Sequence, residues 1–203
     1  MRTLVIETAT EACSIALFGD GALIASDHRV LGRGHAERLV PMIADLPDKG
    51  RAERICVSLG PGSFTGSRIG IAAARSLGIA WRSEVLGFPT LALVSANARA
   101  HATPRPVAVA MNGGHGEWFV QSFDENGLPR AAQRSLKPDE AARCVEEEHV
   151  TGTKAEALVE VRGYGTAIEA HPDARLFELL PASLLTENLA PLYGRAPDAK
   201  VPA

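Results

Sequence analysis

A glycine-rich loop between an apolar strand and a helix is the feature that most limits the folds open to this chain. The loop lies in "SLGPGSFTGSRIG", after a predicted strand at 54–59 and before a predicted helix at 65–81. Such an arrangement presents unpaired N–H groups and the positive end of a helix dipole to an anion. The residues placed to hold that anion are Gly60, Gly62, Ser63, Thr65 and Gly66.

The loop matches neither of the common phosphate-binding motifs. A Walker A loop requires a lysine directly after its second glycine, whereas Ser67 and Arg68 follow Gly66 here. A dinucleotide-binding fingerprint requires its glycines at the first strand-to-helix turn, with a shorter spacing. Two interpretations therefore remain. The loop binds an anion, or its glycines only let the helix pack close to the sheet, with Ser63 or Thr65 as the N-cap.

The remaining pattern predicts an α/β protein with mixed sheets flanked by helices. Three strand signals open the chain, with a tight turn at Gly19-Asp20-Gly21, and a helix with Pro41 inside it is predicted at 35–46. Helices and strands then alternate up to the proline-rich "HATPRPV". This joint predicts an N-terminal lobe at 1–102 and a smaller C-terminal lobe at 103–203. In the second lobe we expect a hairpin turn at Asn112-Gly113-Gly114 and a helix from Pro138 to about Glu148.

Charge and cysteine content limit the possible environments and partners. The net charge of −3 over 203 residues does not favour strong, nonspecific binding of nucleic acid. Cys13, Cys56 and Cys144 are odd in number and set among apolar residues, so we expect buried thiols in a reducing, cytoplasmic compartment. No segment has the pattern of an export signal or of a membrane span, and we expect no membrane partner.

The helix predicted at 65–81 carries more apolar surface than one core contact requires. Gly66, Gly70, Ala74 and Gly78 recur every four residues, flanked by Leu77 and Trp81. This stripe of small residues allows the close approach of another helix, from a second chain or from the same chain. Arg68, Arg75 and Arg82 form a separate basic line, typical of a solvated face and less often of an RNA contact.

Four segments together resemble the bacterial TsaB (YeaZ) family. They are "VIETATEACSIALF", "RGHAERLVPMI", "SLGPGSFTGSRIGIAAARSLGIA" and "PLYGRAPDAK". The resemblance is strong over the first hundred residues and patchy afterwards. It implies the two-lobed fold of the actin-like ATPases, sugar kinases and Hsp70, built on a ribonuclease H-like core.

The resemblance also implies a role as a non-catalytic, activating subunit. Family members bind their paralogue TsaD, which acts with the ATPase TsaE to transfer a threonylcarbamoyl group to the adenosine beside the anticodon of tRNA. They join TsaD, or a second copy of themselves, through the two helices predicted at 35–46 and 65–81. We therefore expect this chain to interact with tRNA indirectly, through the complex. The expected partner surface comprises Leu39, Met42, Ile43, Leu46, Gly70, Ala74, Leu77, Gly78 and Trp81.

Several departures from the catalytic relatives indicate that this chain has no catalytic residues of its own. Glu7 stands where they have an aspartate, and the following Thr8-Ala9-Thr10 contains no glycine. Only His35 lies where TsaD has a metal-binding histidine pair, so we expect no metal. We also expect no intrinsic cofactor, and place any ATP or ADP at the interface of the complex. The stretch 111–115 lacks the arginine that is usual in the family.

Three enzyme classes are the alternatives to an activating subunit. An ATP-dependent small-molecule kinase suits the fold, but Glu7 is the only candidate for a magnesium carboxylate. A peptidase-like hydrolase requires a zinc motif or a nucleophile elbow, and the sequence contains neither. A ribonuclease H-like nuclease requires several converging carboxylates, of which one can be placed.

Overall fold

Two five-stranded mixed sheets, with helices between and outside them, form the structure. The computed structural model describes residues 1–101 and 105–194. Its strands are β1 Arg2–Glu7, β2 Ala12–Gly19, β3 Ala22–Val30, β4 Arg54–Ser58, β5 Glu84–Phe88, β6 Val107–Gly114, β7 Glu117–Phe123, β8 Arg134–Leu136, β9 His149–Thr151 and β10 Thr166–Ile168. Its α-helices are α1 His35–Asp45, α2 Phe64–Trp81, α3 Thr90–His101, α4 Pro138–Cys144 and α5 Ala155–Arg162. The α/β class with mixed, helix-flanked sheets is confirmed.

The first sheet has the order β3-β2-β1-β4-β5 and is built around β1. This strand pairs antiparallel with β2 and parallel with β4, with Val5 opposite both Ala16 and Cys56. The β2–β3 turn is formed by Asp20 and Gly21, both at positive φ, as the glycine pattern predicts. Because β1 lies in the middle of the sheet, its carboxyl end at Glu7 is buried where the glycine loop begins.

Five layers stack across the molecule. Helices α1 and α2 cover one face of the first sheet, packing on residues such as Leu4 and Ile55. Helix α3 lies between the two sheets, with Leu93 in the core of the first and Leu91 in the core of the second. The second sheet, ordered β10-β9-β6-β7-β8, is covered on its outer face by α4 and α5. The order of the first sheet agrees with the ribonuclease H-like core expected from the resemblance.

The segment at 174–186 returns to the first sheet. A short 3-10 helix, Ala174–Leu179, places Phe177 against Phe18 and Phe88, with ring centroids 6.4 and 5.5 Å apart. Further along, Thr186 and Gly87 exchange backbone hydrogen bonds of 2.7 and 3.0 Å. The lobe boundary predicted at residues 102 and 103 lies outside the described residues, and the C-terminal segment contacts both sheets.

Three local predictions were wrong. Helix α4 ends at Cys144 and not near Glu148, because the chain turns extended at Val145. The hairpin between β6 and β7 turns at His115 and Gly116, both at positive φ, so Gly113 and Gly114 belong to the strand. Cys144 is exposed, unlike the two cysteines of the first sheet.

Candidate functional site

The glycines of the loop are required because a neighbouring turn lies directly against them. A Cβ on Gly62 would overlap the carbonyl oxygen of Ala9, and one on Gly66 would overlap that of Thr8. A Cβ on Gly70, one turn further along α2, would overlap the Thr8 hydroxyl. The glycines therefore let the start of α2 approach the turn that follows β1, as the packing interpretation of the loop predicts.

Three backbone donors of the loop are already paired within the protein. Ser63 N–H donates to the Ala9 carbonyl at 2.6 Å, and Gly60 N–H donates to the Thr90 hydroxyl at 3.1 Å. Ser63 is the N-cap of α2, and its hydroxyl accepts from Gly66 N–H at 3.1 Å. Thr65, the other predicted cap, lies exposed inside the helix. The loop thus uses several of its hydrogen-bonding groups to hold its own conformation and its contact with the turn after β1.

Glu7 is fully buried beneath this loop. Its side chain is 0% exposed, and its Oε1 accepts the N–H of Ala9 at 2.5 Å. Burial raises its pKa from 4.5 to about 7, although the Ala9 N–H and the hydroxyls of Ser58 and Thr90 lower it in part. The carboxyl group therefore holds the β1–β2 turn in place, and it does not line the cleft described next.

A cleft of about 750 Å³ lies between the two sheets, with the glycine loop on one side and the β6–β7 hairpin on the other. Its walls are largely apolar, including Met111 and Phe119, with Asn112 and His115 on the hairpin side. The C-terminal segment closes one end, where Leu192 N–H donates to the Leu59 carbonyl at 2.7 Å. Its size is typical of small-molecule sites in proteins.

Potential metal ligands do not converge in the part of the chain that the structure describes. No group of three His, Cys, Asp or Glu side chains there is placed to hold a metal ion. His35 is 7% exposed, and its Nε2 lies 3.1 Å from the Ala12 carbonyl oxygen. That hydrogen bond ties the start of α1 to β2, so the histidine has a structural role.

The residues predicted to contact a partner lie mostly inside the protein. Leu39, Met42, Ile43 and Leu46 are 1%, 2%, 4% and 7% exposed and pack in the core under α1. Those predicted on α2 divide into buried and half-buried groups. Gly70, Ala74 and Gly78 are buried, whereas Leu77 and Trp81 are half-buried against the same core. Seven of the nine predicted residues are therefore buried within the chain, where the small-residue stripe packs, and only Leu77 and Trp81 are partly open to a partner.

A different face of the same two helices is exposed. Ile79 is 82% exposed, the most exposed large apolar side chain among the described residues, and Val40 of α1 is 62% exposed. The two helices contact each other, and smaller apolar residues accompany these side chains. We call the following set the helix-pair surface: Val40 and Ala44 of α1, and Ala72, Ile79 and Ala80 of α2. Ala72 and Ile79 are seven residues apart, so they lie on the same side of α2. This spacing on a mostly apolar helix was the signal in the sequence for the exposed face.

The basic line predicted on α2 is also exposed, and one end of it meets an aromatic pair. Arg68, Arg75 and Arg82 are all exposed. The Arg68 guanidinium lies 3.3 Å from the ring centroid of Phe64 and donates to the Tyr193 hydroxyl at 2.7 Å. Tyr193, from the "PLYGR" segment near the C-terminus, stacks on Phe64 with centroids 5.9 Å apart. The spacing of the arginines predicts the basic line, whereas nothing local in the sequence predicts these aromatic partners.

Comparisons with known proteins place the chain in a family. Residues 28–170 match the model of the family described as TsaD, tRNA N6-adenosine threonylcarbamoyltransferase. The chain is 36% identical to the Escherichia coli tRNA threonylcarbamoyladenosine biosynthesis protein TsaB over 148 residues, 68% of this chain and 64% of that protein. It is 32% identical to the Bacillus subtilis protein of the same name over 104 residues. The matches thus span less than two thirds of these relatives.

Solved structures extend the similarity over nearly the whole chain. YeaZ from Pseudomonas aeruginosa superimposes with a TM-score of 0.79 at 27% identity, covering 95% of this chain and 99% of that one. A second structure, of a Pseudomonas aeruginosa protein with similarity to peptidase YEAZ, gives 0.81 at 28% identity. The chain belongs to the family of the TsaD model, and within it to the TsaB (YeaZ) proteins of tRNA threonylcarbamoyladenosine biosynthesis.

Proposed function

We propose that this chain is a non-catalytic subunit that binds TsaD through the helix-pair surface and activates it. The observation that carries the proposal is the exposure of Ile79 and Val40, at 82% and 62%, on two helices in mutual contact. Single exposed apolar residues are common, but two large ones on adjacent helices, accompanied by the exposed Ala44, Ala72 and Ala80, favour a surface that a partner covers. A helix pair of TsaD is a fitting partner, because paralogues of one fold present equivalent helices.

The site beneath the glycine loop supports the non-catalytic part of the proposal. A catalytic carboxylate has to reach its substrate, whereas Glu7 is 0% exposed and bonded to its own turn. The carbonyl oxygens of Ala9 and Thr8 lie directly against Gly62 and Gly66 of the loop. The same two features argue against the kinase alternative, which requires the loop and the carboxylate to meet a nucleotide and magnesium.

The proposed complex contains further components. TsaE supplies ATPase activity, tRNA is the substrate of the assembly, and any ATP or ADP binds at the interface and not to this chain alone. In the free protein the same surface pairs two copies into a homodimer, which TsaD replaces. The two buried thiols fit a cytoplasmic protein. Among the described residues, no helix combines the length and apolarity needed to cross a bilayer.

A binding experiment with matched variants tests the proposal. Ile79→Glu places a charge in the helix-pair surface, and Val161→Glu places one at a 47% exposed valine of α5 in the other lobe. Both variants should fold, because both sites face solvent. Size-exclusion chromatography with light scattering should show a complex between TsaD and the wild type or Val161→Glu, and none with Ile79→Glu. Equal binding of TsaD by both variants would contradict the proposed surface.

A further inference from the structure

A positive stripe on α2 stands out against the charge of the whole chain. The helix contains two arginines and no aspartate or glutamate, and a third arginine, Arg82, is its C-cap, while the chain carries a net charge of −3. Seven residues make nearly two helical turns, so Arg68 and Arg75 lie along one side of the helix, and Arg82 follows at its end with a left-handed backbone. From first to last they span about 21 Å, since each residue rises by about 1.5 Å. A local field of this sign attracts polyanions, although the protein as a whole does not.

The aromatic pair at one end of the stripe is open to solvent. Phe64 is 60% and Tyr193 is 49% exposed, although aromatic rings are usually covered in a protein of this size. The contacts that Arg68 makes with both rings fix the pair and add positive charge beside it. Arg75 is held toward the C-terminal segment by a 3.4 Å hydrogen bond from its Nη2 to the Leu189 carbonyl. The groups are thus partly ordered before any ligand arrives.

We propose that the arginine stripe and the Phe64–Tyr193 pair form a binding surface for an unpaired RNA strand. Phosphates pair with the arginines, and a base stacks on the open aromatic surface. Proteins that bind single strands combine these two elements, because cations follow the backbone while aromatic faces accept any base. A duplex keeps its bases stacked on one another and offers the aromatic pair nothing to bind.

The RNA surface lies beside the helix-pair surface and does not coincide with it. Ala72 and Ile79 are three or four residues from the nearest arginine, which places them on a neighbouring stripe of the same helix. A partner that covers Ile79 therefore also meets Arg75, and it leaves Arg68 and the aromatic pair, about three turns away, available. The inference rests on the proposed function in one respect, since it takes the natural RNA to be the tRNA that the complex modifies.

Fluorescence anisotropy with the full-length chain tests the inference directly. The probes are a labelled single-stranded RNA oligonucleotide, a duplex of the same length and an unmodified tRNA, each titrated at several salt concentrations. The charge variant is Arg75→Glu/Arg82→Glu, and its control is Arg38→Glu/Arg51→Glu, which changes two exposed arginines off the stripe by the same net charge. The stacking variant is Phe64→Ala/Tyr193→Ala.

The three variants should have different effects on RNA binding. Loss of two phosphate contacts should lower the slope of log affinity against log salt by about 1.4, at about 0.7 per contact on single strands, and the control should keep the wild-type slope. The stacking variant should weaken single-strand binding about tenfold with an unchanged slope. The affinity for tRNA should change in the variants as the affinity for the single strand does. The affinity for the duplex should be the same in the stacking variant as in the wild type. An equal loss of RNA affinity in the charge variant and its control would overturn the inference. So would the absence of single-strand binding by the wild type.

These results are separable from those that test the proposed function. RNA binding is measured without TsaD, and TsaD binding is measured without RNA. If Ile79→Glu abolishes the TsaD complex while the stripe variants leave RNA binding unchanged, the proposed function stands and the RNA surface is rejected. The opposite pair of results keeps the RNA surface and rejects the partner surface.

Discussion

The N–H of Ser63 donates a 2.6 Å hydrogen bond to the carbonyl oxygen of Ala9, and this contact joins the glycine loop to the turn after β1. One N–H donor of a loop that looks suited to phosphate is thereby paired with the protein's own backbone. Because Gly62 lies beside the same oxygen, even a methyl group there has no room.

Gly62→Ala should therefore destabilise the protein through a backbone clash, by about 2 to 3 kcal/mol. Gly163→Ala is the control, because Gly163 has a positive φ of 80° but open space around its Cβ position. That substitution should cost only about 1 kcal/mol, from the left-handed backbone alone. Urea unfolding of both variants gives the comparison. A smaller loss for Gly62→Ala than for Gly163→Ala would show that the turn and the loop are not in close contact.

Two alanines of α2 lie on opposite sides of the helix, one in the core and one at the surface. Ala74 is 0% exposed, whereas Ala72 is exposed on the other side of the helix. Ala74→Arg should bury a charge and lower the free energy of unfolding by more than about 4 kcal/mol, so the variant should fail to fold. Ala72→Arg should change stability by less than about 0.5 kcal/mol. Circular dichroism during thermal unfolding distinguishes them, and similar melting temperatures would contradict the burial of the small-residue stripe.

Glu7 should make stability depend on pH in a defined window. Its pKa rises on folding from 4.5 to about 7, so the folded state holds the proton more tightly than the unfolded state. The associated stability is complete below pH 4.5 and is lost as the pH rises toward 7, by about 3 kcal/mol at most. Glu7→Gln keeps an oxygen for the Ala9 N–H but cannot ionise. Denaturant unfolding at pH 5 and pH 8 should show a larger decline for wild type than for Glu7→Gln, and equal declines would contradict this assignment.

The three cysteines should react at very different rates. Cys13 and Cys56 are 0% exposed, and burial raises their pKa to about 11 and about 12. Cys144 is exposed at the end of α4. A chromogenic disulfide reagent should titrate one thiol per folded chain at neutral pH and all three after denaturation. Cys144→Ser should abolish the fast reaction, and a remaining fast thiol in that variant would show that the first sheet opens readily.

Sequence patterns determined the fold better than they determined the partner surface. The four-residue spacing of Gly66, Gly70 and Ala74 predicts close packing correctly, but spacing alone does not say which helix or sheet approaches. The neighbour turned out to be the chain's own β1 turn and sheet, over a separation of some sixty residues. Likewise Leu39 and Met42 follow a helical repeat whether they face a partner or a core.

Contacts between residues far apart in the sequence account for the other features that could not be predicted from it. Tyr193 meets Phe64 and Arg68 only because the C-terminal segment crosses the start of α2, 125 residues later than Arg68 in the sequence. Sequence patterns predicted features correctly where both interacting residues are close in the sequence. Ser63 as the cap of α2 and the turn at Asp20 and Gly21 both follow from neighbouring residues.

The most direct test of the central claim measures threonylcarbamoyl transfer to tRNA by the same organism's TsaD. The reaction contains TsaE, ATP and the activated threonylcarbamoyl donor, with no addition, with this protein, or with its Ile79→Glu or Val161→Glu variant. We predict transfer with the wild type and with Val161→Glu, and only background without the protein or with Ile79→Glu. Transfer by TsaD that is the same in all four reactions would contradict an activating role for this chain.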